Sequence, residues 1–125
     1  MNTVKLEKYL NYEFSSGSYV GQDYKTFQTK YINVLKEMCE GNDWELVKAN
    51  KNHYQFSAFV KDTKGNFVYL SIQDVRFSPN EWYYHILIRT AKHDRDYSGG
   101  RNNFAKLPHL SIEIKRLFDF QKVVL

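Results

Sequence analysis

The chain has 125 residues, enough for one domain around one core and too few for two of ordinary size. Lys and Arg number 18 against 14 Asp and Glu, and the resulting charge of +4 permits anionic partners without the heavy excess of a histone-like protein. The single cysteine, Cys39, excludes an intramolecular disulfide, and nowhere do about 18 apolar residues follow one another as a membrane helix requires.

Charges recur every few residues in Met1-Asn2-Thr3-Val4-Lys5-Leu6-Glu7-Lys8, so no apolar run of signal-peptide length is expected there. Together with the lone cysteine, this makes the cytoplasm the expected compartment. Leu6, Tyr9 and Leu10 predict a short helix over about residues 3–12, and Ser15-Ser16-Gly17-Ser18 reads as a loop. From Asp23 to Glu40, Tyr24, Phe27, Tyr31, Val34, Leu35 and Met38 recur at the spacing of one helical face. Asp23 is placed to cap this helix and Gly41 to stop it.

After Gly41 the period shortens to two. Trp44 and Leu46 open a short strand, and Tyr54, Phe56, Ala58 and Val60 alternate with His53, Gln55, Ser57 and Phe59 in a longer one. The turn Asp62-Thr63-Lys64-Gly65-Asn66 leads into a strand from Phe67 to Val75. Ser78-Pro79-Asn80-Glu81 makes another turn, and Trp82 to Ala91 predicts the fourth strand. Leu107, Leu110, Ile114, Leu117 and Phe118 restore helical spacing, with Pro108 suited to the first turn. Residues 1–125 thus read as a single α+β domain, an antiparallel four-stranded meander flanked by an N-terminal and a C-terminal helix.

The loop before the last helix, Lys92-His93-Asp94-Arg95-Asp96-Tyr97-Ser98-Gly99-Gly100-Arg101-Asn102-Asn103, is the first place to look for function. All but its two glycines carry side chains that donate or accept hydrogen bonds, and Gly99-Gly100 allows positive φ or a close approach to a ligand. Lys92, Arg95 and Arg101 suit phosphate oxygens or acidic side chains, with His93, Tyr97 and Asn102 as further contacts. Asp94 and Asp96 alternate with these cations, so internal pairing is the competing reading.

Aromatic residues make up 17% of the chain, and some of these rings are expected on the surface. If Trp82, Tyr84, Ile86 and Ile88 face the helices, then Tyr83, His85, Leu87 and Arg89 share the other face of the sheet with part of the His53–Phe59 strand. Rings interleaved with Arg and His equip such a face to stack bases and neutralise phosphate. A secondary apolar layer or a dimer interface competes with that reading, since a sheet with two apolar faces would favour a homodimer.

His93, Asp94 and Asp96 are ligand types for a divalent ion, but the interleaved Lys92 and Arg95 oppose one, and no metal or other cofactor is expected. No residues stand at a recognisable catalytic spacing, so a non-enzymatic role is favoured. Cys39, beside Met38 and Glu40 in an amphipathic helix, reads as a plain helix cysteine, and His109 as a surface or capping residue.

The order of helix, strands and helix, with a basic loop before the last helix, resembles that of a double-stranded-RNA-binding domain. The resemblance covers order alone: Leu107-Pro108-His109 stands where that family carries lysines, so no binding residue is transferred. In size, basicity and aromatic richness the chain also resembles small proteins of phages and conjugative elements, including inhibitors of host defence. The leading expectation is a module that contacts nucleic acid or a nucleoprotein. A protein-interaction or inhibitor role and a small nucleotide-ligand binder are the alternatives.

Overall fold

The computed structural model of the chain describes residues 24–52, 55–72, 81–97 and 100–124. The expected helix over 3–12, the loop at 15–18, the cap at Asp23 and residues 73–80 lie outside that set. Helix α1 (Tyr24–Gly41) buries Phe27, Tyr31, Leu35 and Met38 along one stripe, with Ile32 and Cys39 widening it. Lys30, Asn33, Lys36, Glu37 and Glu40 stay exposed on the opposite side. The helix ends at Gly41, where the backbone N–H groups of Asn42 and Trp44 both donate to the Cys39 carbonyl, at 3.0 and 2.8 Å. These bonds satisfy an end carbonyl that has no partner inside the helix.

Among the described residues five strands follow in one antiparallel sheet: β1 (Glu45–Asn52), β2 (Gln55–Lys61), β3 (Phe67–Ile72), β4 (Ile86–Ala91) and β5 (Asn103–Ala105). Their spatial order β1-β2-β3-β4-β5 is the order of the chain, so the predicted α+β meander is the observed architecture. The sequence predicts four strands; the fifth is a three-residue run too short to show a period. Among the described residues the first strand, expected to be the short one, is the longest. Its pairing with β2 jumps between Val47 and Asn50, and Lys48 at φ 49° sits in that irregularity.

The β2–β3 turn forms as its sequence suggests. Asp62 Oδ1 accepts from the N–H groups of Lys64 and Asn66, its Oδ2 accepts from the Asn66 amide, and Gly65 takes a φ of +85°.

Residues 82–84, expected to begin the fourth strand, instead form a helical turn, α2 (Glu81–Tyr84), closed by the His85 N–H donating to the Glu81 carbonyl at 3.0 Å. Tertiary packing overrides strand propensity at this point. Trp82 enters the core edge-on to Phe27, with centroids 5.4 Å apart, and its carbonyl accepts the Tyr31 hydroxyl at 2.9 Å.

One sheet face carries the core. Phe56, Ala58 and Val60 of β2, Val68, Leu70 and Ile72 of β3, and Ile86 and Ile88 of β4 are all buried, with Ala58 opposite Leu70 and Leu70 opposite Ile88. After β5 a tight turn (Leu107–His109) places Pro108 where its missing N–H costs nothing, and helix α3 (Leu110–Val124) follows. Leu107, Leu110, Ile114 and Phe118 complete the same core. Among the described residues no helix is long and apolar enough to cross a membrane.

Candidate binding surface on the outer sheet face

On strands β2 to β4 the odd-numbered residues point away from the helices and form two rows that matter. In the first, Val47, Phe59, Tyr69 and Arg89 lie side by side across β1 to β4. In the second, Ser57, Ser71, Leu87 and Phe104 lie side by side across β2 to β5.

The glycine loop folds back over the first row. Tyr97 packs edge-on to Phe59 and Tyr69, with centroids at 5.2 and 5.8 Å, and Phe59 and Tyr69 are 5.3 Å apart. The three rings form a second apolar cluster, and Phe59 is fully buried although it lies on the outer face. The Arg89 guanidinium lies 4.5 Å from the Tyr69 ring centroid. It also donates to the Tyr97 carbonyl and, at 3.4 Å, to Asn102 Oδ1, so one side chain joins sheet and loop.

Other contacts set the loop's course. The Lys92 N–H donates to Asp96 Oδ2 at 3.0 Å, and the Arg95 N–H donates to His93 Nδ1 at 3.1 Å. The Lys48 ammonium lies 3.5 Å from Asp94, pairing the β1 irregularity with the loop. Gly100, at φ +78°, passes so close to β4 that a Cβ there would stand 2.4 Å from the Thr90 carbonyl oxygen. The close approach expected of this glycine is to the protein's own strand. Gly99 lies outside the described residues.

The second row is left open by the loop. Phe104 is 47% exposed, and the His85 ring stacks on it nearly in parallel, 3.9 Å between centroids and 11° between planes. Arg101 and Lys106 are exposed on either side of β5, and Leu87, Ser57 and Ser71 are partly exposed. Tyr84, expected to face the helices, is 56% exposed. Tyr83, expected on the outer face, packs against the main core from α2, because a helical turn does not alternate its side chains as a strand does.

The structure thus divides the residues singled out in the sequence. Arg89, Tyr97 and Asn102 come together with Phe59 and Tyr69 in the covered half. His85 joins Phe104 in the open half, and Arg101 is exposed just before β5. Lys92, His93 and Arg95 are exposed on the loop. Phe104 escaped sequence reading because it is a lone ring after Arg101-Asn102-Asn103, and its only signal is the out-and-in alternation with Ala105. Among the described residues no three His, Cys, Asp or Glu side chains gather as a metal site would need. The chain matches no family model, no curated protein and no solved structure.

Proposed function

We propose that the chain is a small nucleic-acid-binding module that receives a single strand on the open half of its outer sheet face. The observation that carries this reading is the exposed, parallel His85–Phe104 stack, with the exposed cations Arg101 and Lys106 before and after β5 in the chain. A flat ring pair presents a π-face to any base, and each stacked base contributes ~1–3 kcal/mol. Neighbouring cations supply the sequence-independent attraction to phosphate. A duplex keeps its bases stacked on one another, so the ring pair favours single strands.

Fluorescence anisotropy of labelled single-stranded and duplex DNA and RNA at two salt concentrations tests the reading. The expected result is salt-sensitive binding that prefers a single strand. Phe104→Ala should weaken it about tenfold or more, and Arg101→Glu should lower its salt slope by about one. Absence of binding to all four at low salt sinks the proposal.

A protein-contact or inhibitor reading draws on a different surface. Ile112 and Phe120 on α3 are 53% and 60% exposed, and such apolar positions suit a protein partner better than a phosphate backbone. It predicts a complex that survives nuclease treatment and is lost on Phe120→Glu.

A further inference from the structure

A second site lies at the other end of the fold, in a cleft of about 230 Å³ between the end of α1, the β2–β3 turn and α3. Trp44 and Phe118 form its aromatic wall, packed edge-on with centroids 5.3 Å apart, and Trp44 is only partly buried. Lys64 from the turn and Lys115 from α3, both exposed cations, line the same cleft. Two carboxylates, Asp62 and Asp119, line the cleft as well, and both are held by contacts of their own. Asp62 accepts three hydrogen bonds from its own turn, and Asp119 has an interaction of its own.

Asn42 adds a directional element. Its amide donates one hydrogen to the Met38 carbonyl at 2.8 Å, which leaves the second amide hydrogen and the Oδ1 lone pairs for a ligand. That pairing of one donor with one acceptor matches the N6/N7 edge of adenine. We infer that this cleft binds an adenosine carrying a phosphate, with the base against Trp44, its edge on Asn42 and the phosphate between Lys64 and Lys115. The volume accommodates a planar base with sugar and phosphate at the open mouth. The inference does not rest on the outer-face reading, since no residue is shared between the two surfaces.

Trp44 is the reporter. AMP should quench the tryptophan emission of the full chain saturably, with half-saturation below ~1 mM, a modest affinity for a cleft this small. Trp44→Phe should abolish the quench, because the remaining Trp82 is buried in the core. Adenosine without phosphate should bind about tenfold more weakly, and Lys64→Ala/Lys115→Ala should bring AMP to the same level. Quenching by AMP identifies a free nucleotide as a ligand. Quenching only by a short single-stranded oligoadenylate identifies a strand terminus, and both results support the site. Phe104→Ala should leave the titration unchanged, so the two surfaces fail or succeed separately. No saturable quench by either ligand, or a quench that the double lysine variant does not weaken, overturns the inference.

Discussion

Gly65 and Gly100 both hold positive φ, yet their surroundings differ and so should their tolerance. A Cβ at Gly65 meets nothing within 4 Å, whereas at Gly100 it would stand 2.4 Å from the Thr90 carbonyl oxygen and 2.7 Å from its hydroxyl. Gly65→Ala should therefore cost about 1 kcal/mol, the backbone term alone. Gly100→Ala adds overpacking against a strand and should cost roughly 2–4 kcal/mol in chemical denaturation. Equal losses at the two positions would contradict the close approach of loop to β4. Cys39 offers a second test at this scale. Burial, aided by the neighbouring Glu40, pushes its thiol from an ordinary 9.0 up to about 12, and burial pushes the Tyr31 hydroxyl well above its ordinary value. Both groups keep their protons in the folded chain at a pH where the unfolded chain releases them. Stability is therefore fully present below about pH 9 and falls as pH rises beyond it. Denaturation midpoints taken from neutral to alkaline pH should show the fall beginning near pH 9, and Cys39→Ala should delay its onset. In the native state the thiol should react with a disulfide reagent only as fast as the chain opens.

Among the elements, α3 separates packing from exposure within three residues. Ile114 is fully buried while Ile112 is 53% exposed. Ile114→Ala should cost about 2–5 kcal/mol, whereas Ile112→Ala should stay within about 0.5 kcal/mol, both read from urea unfolding. The two helices and the β2–β3 hairpin were legible in the sequence because a period of 3.6 or 2 persists there over several turns or pairs. Two elements were hidden for different reasons. In α2 the residues Trp82-Tyr83-Tyr84 have strand propensity, but the Trp82 ring reaches Phe27 and Tyr31 of a distant helix, and no local pattern carries that contact. In β5 the element is three residues long, below the length at which alternation can be told from chance. The candidate surface was legible in kind but not in place. His85, Arg89 and the loop cations were visible as chemistry. Which row Tyr97 would cover, and that Phe104 would be left open, depended on how the loop returned to the sheet.

For the molecule as a whole, the excess of 18 basic over 14 acidic residues is too small to hold nucleic acid by charge alone. Binding to the outer face should therefore keep a part that salt does not remove. The logarithm of the affinity should fall with the logarithm of salt at a slope of about two to four, corresponding to a few phosphate contacts. A steeper slope would indicate diffuse electrostatic attachment rather than a stacking site.

The sheet pairs every strand with its neighbour in the chain, and this order has a kinetic consequence. The β1–β2 and β2–β3 pairs close over short spans and can zip as soon as the second strand exists. Helix α1 waits, because the partner of Tyr31 is Trp82, 51 positions later. Tyr31 already meets Phe56 of β2, with centroids 6.2 Å apart, but the Trp82 ring that covers Phe27 and Tyr31 comes last, so completion of helix docking belongs to the late side of the folding barrier. Stopped-flow measurements on Tyr31→Phe should show faster unfolding with a refolding rate close to that of the parent. A growing chain, assembling its ladder strand by strand, would then carry an aromatic helix whose α2-facing rings stay uncovered until α2 emerges.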